Sequence, residues 1–526
     1  MSPRILAIAL LSLIAPSVAA ADSPRFQDVA PALGVTHAYT GGWEHYVGGG
    51  VAAFDCNGDG YPEIYAAGGD NPATLWLNEA TPGSIRLRRA ESDTTAITGV
   101  TGAYPLDVDG DAVVDLAVLR AGGNILLRGT GDCGFAAANE AWGFDGGDRW
   151  TTAFSATWED GMRWPTLAFG NYVDRDDPDG PFEACDDNVL VRPASPRGAG
   201  FAPPEPLTPG HCALSMLFSD WSRSGRRDLQ ISNDRHYYGA EGEEQLWRIA
   251  GGETRLYGRD DGWNRLRIWG MGIASHDVDG DGYPEIVLTS MGDQKMRVLA
   301  AGPESPTYRD TAFEVGITAH VPHVGDDGRP STGWHAEFGD VDNDGITDLF
   351  IAKGNVEAMD VAAMRDPNNL LMGQPDGRYS EAAADAGVAS MTRGRGAALV
   401  DLDLDGRLDI VVVNRQAPLE IQNNRTADTG AWLQLEVRQP AGNRRAVGAW
   451  VEVRADGRTW SREVTVGGGH GGGQTGWLHF GLGRAATAQI RVIWPDGSAS
   501  DWTDVATRRF WVLERGAAPA PWTPLP

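Results

Sequence analysis

Lysine is almost missing from this chain of 526 residues. Only Lys295 and Lys353 occur among its 44 basic residues, and 72 aspartates and glutamates leave a net charge of −28. A polyanion partner calls for an excess of basic charge on one face, so nucleic acid and anionic membrane surfaces are not expected as partners, and soluble cations are. After the first twenty residues no apolar run approaches the roughly 20 residues of a spanning helix, so no membrane span is expected. Catalytic signatures are lacking too: there is no GxSxG elbow, Walker loop or HExxH helix. Cysteine is limited to Cys56, Cys133, Cys185 and Cys212.

The opening segment reads as a secretory signal peptide over residues 1–21. It has Arg4, an apolar run from Ile5 to Ala15 and small residues from Ser17 to Ala21. With no cysteine at the cut, a secreted protein, extracellular or periplasmic, is expected rather than a lipid-anchored one. In an oxidising compartment four cysteines form two disulfides sooner than a metal site. Spacing leaves three pairings open. Cys56 with Cys133 and Cys185 with Cys212 is preferred, because each would tie neighbouring segments together.

The length alone suggests three or four domains at roughly 150 residues each, but a large ring of repeats could absorb most of it. Such a repeat is present. The pattern DxDxDGxxD/E occurs as DCNGDGYPE from Asp55, DVDGDAVVD from Asp107, DVDGDGYPE from Asp277, DVDNDGITD from Asp340 and DLDLDGRLD from Asp401. Two eroded copies, WEDGMRWPT from Trp158 and DWSRSGRRD from Asp220, fill the gap between the second and third. The seven starts lie 51 to 63 residues apart, room for four short strands each. An apolar run such as EIYAA or DIVVV follows each loop, then a strand such as ATLWLN. An aromatic-started tail such as YSEAAADAGV then closes the unit. That tail also stands at FQDVAPALGV, residues 26–35, and is missing after the seventh loop. The expectation is an all-β, seven-bladed β-propeller over residues 22–430, closed by an N-terminal strand.

Oxygen side chains at alternate positions, a turn glycine and a carboxylate at position nine are the donors of a hard cation, and calcium, with six to eight oxygen ligands, fits better than magnesium. The expected ligands are Asp55, Asn57, Asp59 and Glu63; Asp107, Asp109, Asp111 and Asp115; Asp277, Asp279, Asp281 and Glu285; Asp340, Asp342, Asp344 and Asp348; and Asp401, Asp403, Asp405 and Asp409. Backbone carbonyls would come from Tyr61, Val113, Tyr283, Ile346 and Arg407. These loops hold 19 of the 72 acids, and without ions their carboxylates repel one another. About five calcium ions are expected. Ala112 replaces the turn glycine of the second loop, where a left-handed residue costs on the order of 1 kcal/mol, so that site should be weaker. The third unit, with Asp160 alone in a ligand place, should be empty. Asp220, Ser222, Ser224 and Asp228 would make a poor site.

Residues 431–515 read as a second, sandwich-like β domain, with strands such as AWLQLEVR and AQIRVIW between Gly, Asp and Pro turns. The proline-rich end, 516–526, is expected to be disordered. The glycine-rich GGGHGGGQTG, 467–476, reads as a flexible turn. His320 and His323 read as surface residues rather than metal ligands, and His276 and His335 near acidic loops are ambiguous. Asn233, Asp234, Arg235, His236, Tyr237 and Tyr238 form the densest polar and aromatic cluster outside the loops. They read either as a ligand-binding group or as a hydrogen-bonded loop between blades.

The acidic repeats resemble the FG-GAP or VCBS type of the integrin α-subunit propeller. The segments 442–464, LHFGLG (478–483) and IRVIWPDG (490–497) resemble the ASPIC/UnbV module. With GMGIASHDVDGDG (270–282) and SNDRHYY (232–238), the order resembles bacterial relatives of cartilage acidic protein. The resemblance implies an extracellular calcium-binding protein of adhesive or scaffolding role, without established catalysis. Animal members carry an EGF-like module for which this chain has no cysteine cluster. Two functions fit these features. The first is a monomeric, secreted recognition or scaffold protein binding an extracellular protein or glycan. The alternative is a secreted polysaccharide-active enzyme, a glycoside hydrolase or lyase, on a calcium-stabilised propeller.

Overall fold

The computed structural model describes residues 23–177, 184–234, 242–325, 328–440 and 442–524. It is nearly all β. Each acidic loop joins the first strand of a four-stranded antiparallel group to its second. In the first unit Val51–Phe54 enters the loop and Glu63–Ala66 leaves it, with Phe54 paired to Glu63, and Thr74–Asn78 and Leu87–Arg89 complete the sheet. The later first strands are Val100–Leu106, Arg149–Thr157, Ala213–Ser219, Gly270–His276, Gly333–Gly339 and Arg393–Val400. Units two and three join in one eight-stranded sheet, because Arg149 and Trp150 pair with Gly122 and Ala121. No sheet among the described residues closes on itself. Successive first strands nevertheless touch in order, and Arg393–Val400 touches Val51–Phe54, so the units follow one another around a ring.

The seventh unit has three strands of its own, Arg393–Val400, Asp409–Arg415 and Glu420–Asn424. Its fourth is Phe26–Asp28, antiparallel with Phe26 opposite Asn424. The aromatic-started tail is thus a fourth strand followed by one helical turn. In Ala30–Leu33, Asn139–Trp142, Ala312–Val315 and Ala383–Ala386 that turn ends on a glycine at positive φ, between 64° and 89°. The second strands are apolar on both faces because neighbouring units cover both: Ile64 and Tyr65, Leu116 and Ala117, Leu349 and Phe350, and Ile410 and Val411 are wholly buried.

The C-terminal part builds two four-stranded sheets. One contains Ala431–Arg438, Leu478–Gly483, Arg509–Glu514 and Ala520–Trp522; the other contains Trp450–Ala455, Arg458–Glu463, Thr487–Ile493 and Thr503–Ala506. Leu433, Leu435, Val451, Val453 and Ile490 form the core between them. The proline-rich end therefore differs from expectation. Ala520–Trp522 is an edge strand paired to Phe510–Val512, a place where proline's missing N–H costs no ladder bond. Trp522 anchors it against Trp477 and Phe510, with ring centroids 5.0 and 5.4 Å away.

The glycine-rich segment is not a flexible turn. With Val466 just before it, it enters the ring and bridges to five different first strands: Val466 to Ala156, Gly467 to Leu217, Gly469 to Ile273, Gly472 to Ala103 and Gln474 to Ala53. Glycine is needed there because backbone lies against backbone, not because the chain is loose. A Cβ on Gly472 would lie 2.0 Å from the carbonyl oxygen of Val51. His470, in the middle, is wholly buried. Its Nε2 accepts from the N–H of Gly48 (3.1 Å), its Nδ1 faces the carbonyl of Met271 (3.2 Å), and its own N–H donates to Nδ1 of His335 (3.1 Å).

Candidate metal centres

Local backbone geometry aims the loop acids inward. Position four is left-handed in all seven units, at Gly58, Gly110, Gly161, Arg223, Gly280, Asn343 and Leu404. Position six is left-handed as well in six of them: Gly60, Ala112, Gly225, Gly282, Gly345 and Gly406. Around these turns the position-nine carboxylate accepts the N–H of position two. Glu63 accepts from Cys56, Asp115 from Val108, Glu285 from Val278, Asp348 from Val341 and Asp409 from Leu402, at 2.7 to 3.0 Å. The position-one carboxylate accepts from position six, as Asp55 from Gly60, Asp340 from Gly345 and Asp401 from Gly406, each at 2.8 Å. The N–H of position seven goes to position five: Tyr61 to Asp59, Val113 to Asp111, Tyr283 to Asp281, Ile346 to Asp344 and Arg407 to Asp405.

The result is a tight set of oxygens. Carboxylate oxygens lie within 4.8 Å of one another in Asp107, Asp109 and Asp115; in Asp277, Asp279 and Glu285; in Asp340, Asp342 and Asp344; and in Asp401, Asp403 and Asp409. In the first loop the sulfurs beside Glu63 are joined in the Cys56–Cys133 disulfide, leaving the oxygens of Asp55, Asn57, Asp59 and Glu63 as donors. There the amide of Asn57 donates to Asp59 at 2.9 Å. The second disulfide joins Cys185 and Cys212.

These acids are ill at ease as they stand. Burial first, and then the neighbouring carboxylates, pushes Glu63, Asp115 and Glu285 up to about 8, Asp403 to about 7, and Asp107, Asp277 and Asp344 to about 6. Asp340, Asp348, Asp401 and Asp409 are raised well above the usual carboxylate range for the same reasons. Oδ1 of Asp403, fully buried, has no hydrogen-bond partner. An all-oxygen, multiply anionic set with an unpaired buried acceptor fits a hard divalent cation.

The eroded units show the alternative, a cation supplied by the chain itself. In unit three Arg192 pairs with Glu159 at 2.9 Å, and Thr166 donates to the same carboxylate. In unit four Asp228, at position nine, is held by Arg226 (3.1 Å), the indole of Trp221 (2.9 Å) and the hydroxyl of Tyr257 (2.8 Å). Ser222 and Ser224 bond each other. The second loop lies between the two cases: Arg128 reaches Asp109 and Asp111 at 2.7 and 2.8 Å, and Ala112 holds φ 76°. Arg226 lies within its eroded copy, but Arg192 stands 26 residues beyond the end of the other, so the sequence does not show which acid it pairs with.

Outside the loops, Asn233 is buried, with its amide on the carbonyl of Glu243, and Asp234 accepts from Tyr172 at 2.5 Å. Arg235, His236, Tyr237 and Tyr238 lie outside the described residues. His320 pairs with Asp293, whereas His323 faces Asn369 and Glu381, so the two do not converge. His276 is half-buried, lowered to about 3 by desolvation, and lies 3.3 Å from Thr347 of the sixth loop.

Residues 55–118 match the family described as FG-GAP-like repeat, and residues 439–520 match ASPIC and UnbV. No curated protein matches the chain. Solved structures similar to it include an Agrocybe aegerita lectin that recognises non-reducing terminal N-acetylglucosamine, at 15% identity and TM-score 0.38, covering 72% of this chain and 94% of that one. Rhamnogalacturonan lyase YesW is similar at 12% identity and TM-score 0.34, over 85% and 92% of the two chains. A Trypanosoma rangeli sialidase follows at 9% and 0.35, over 82% and 88%. Among the described residues no helix is long and apolar enough to cross a membrane. By its family matches, the chain carries an FG-GAP-like repeat at residues 55–118 and an ASPIC and UnbV region at residues 439–520, the combination its sequence resembles.

Proposed function

We infer that this is a secreted, calcium-binding recognition or scaffold protein, a seven-bladed propeller whose loops are made rigid by about five calcium ions. The observation that carries the reading is the contrast within one chain. The two eroded loops pair Glu159 with Arg192 and Asp228 with Arg226, while loops five and six cluster their carboxylates with, among the described residues, no arginine or lysine paired to them. Calcium is chosen over magnesium because the loops offer many oxygens in a pliable turn. The seven four-stranded units, with the N-terminal strand in the last, support the propeller reading.

The protein is read as a monomer without catalysis, with an extracellular protein or glycan as its partner. Residues 466–474 fill the middle of the ring. That leaves the face away from the acidic loops for the partner. A cleft of about 520 Å³ opens there, lined by Asn124, Asp145, Asp148, Arg149, Asp174 and Arg175 among others. A screen of acidic and neutral glycans for both binding and cleavage tests the reading. Binding without turnover is expected. Turnover abolished by changing one carboxylate outside the loops would overturn it.

A further inference from the structure

The face made by the acidic loops is not free. The indole N–H of Trp477 donates to the carbonyl of Gly60 (3.0 Å) and that of Trp460 to the carbonyl of Gly345 (3.0 Å). Nε of Arg444 donates to the carbonyl of Gly110 (2.6 Å). These acceptors are positions six, six and four of the first, sixth and second loops, the left-handed residues that shape each site. The seventh loop is held from the same side: Gln434 donates to Asp401, and Gly406 is so close to Trp432 that a Cβ there would lie 1.9 Å from the indole. The N–H groups of Gly430 and Gly483 take the carbonyls of Asp342 and Asn343 at 3.0 and 2.9 Å.

Four of the five intact loops therefore lie between the ring and the C-terminal module, and the module's own segment 466–474 runs from this contact into the ring. We propose that the acidic loops are the docking surface for the C-terminal module, and that cation binding and seating of the module with its plug are one linked equilibrium. The proposal rests on the calcium reading above. A cation draws the position-one, -three and -five carboxylates together and fixes the turn whose carbonyls the module holds. Without it, mutual repulsion spreads the turn and weakens each of those contacts. Direct charge attraction to the acidic face does not decide the matter. Arg438 and Arg445, arginines of the module whose charge acts on Asp55, are already paired with Glu436. What the module gives the loops is geometry, and linkage makes the effect reciprocal: a seated module must tighten calcium binding.

The test uses the full-length protein. Calcium titration by calorimetry compares wild type with Trp460→Phe/Trp477→Phe, which keeps an aromatic ring at each position and removes both N–H donors. The double variant should bind calcium about tenfold more weakly at two of its sites. In wild type, a chelator should raise hydrogen exchange of the amides of 466–476 at least about tenfold while the second strands stay protected. The exchange measurement stands even if the variant does not fold. Normal calcium binding with unchanged affinity in the double variant, and a plug still protected in chelator, would overturn the linkage and leave the calcium reading intact. Absence of any calcium binding would overturn both.

Discussion

Gly50 and Gly471 pass each other with no room for a side chain: a Cβ on Gly50 would lie 1.7 Å from the carbonyl oxygen of Gly471. Neither end of this contact can yield easily. Gly50 leads into the first strand of unit one, and Gly471 follows His470, whose imidazole is fixed from both sides.

Gly50→Ala should therefore destabilise the protein by about 1–3 kcal/mol or more, the cost of forcing an extra carbon into a packed interior. Denaturant unfolding measures it. Gly42→Ala is the control: nothing lies within 4 Å of a Cβ there, and its φ is −77°, so little change is expected.

What the sequence made legible follows from which interactions are local. The five intact loops show themselves because acids at fixed spacing must share one turn. The tail FQDVAPALGV is recognisable because it repeats the aromatic-started pattern that is missing after the seventh loop, and in the structure its Gly34 ends the same helical turn as Gly387. The left-handed position four was hidden at Arg223 and Leu404, which carry no glycine to mark it. The place of residues 467–476 is hidden in the sequence because glycine content shows what a backbone is free to do and not what it is pressed against. The partners of His470, Gly48 and Met271, are 422 and 199 residues away. The order of the proline-rich end is hidden in the sequence for the same reason: Trp522 and its aromatic partners decide it, not the prolines around it.

Asp403→Asn should act with opposite sign in the two metal states. With a chelator it removes a buried, unpaired carboxylate oxygen that burial and Asp405 raise to about 7, and the melting temperature at pH 8 should rise. In calcium it removes a ligand, so the ion count should fall by about one and the melting temperature with it. Metal analysis and thermal melting on the same samples check both halves.

Ala112→Gly should stabilise the protein by on the order of 1 kcal/mol, since Ala112 holds φ 76° where an L side chain is strained. Calcium affinity at the second loop should rise with it. Equilibrium unfolding with and without calcium reads both effects.

Glu463 gives a pH dependence. Burial, then the charge of Asp220, raises its carboxyl to about 8, while Ser219 (2.7 Å) and the N–H of Asp220 (2.9 Å) donate to it. A folded-state value above the unfolded one means that its contribution is full below about pH 4 and is lost as the pH climbs towards 8. Glu463→Gln keeps an acceptor for Asp220 and cannot ionise. Its melting temperature should exceed that of wild type at pH 8 by on the order of a few degrees, and the gap should close towards pH 5.

The central claim is tested most directly by counting the bound metal in purified protein and melting it before and after chelation. About five calcium ions are predicted, with a fall on the order of 10 °C when they are removed. Metal-free protein that melts at the same temperature as calcium-saturated protein would contradict the account.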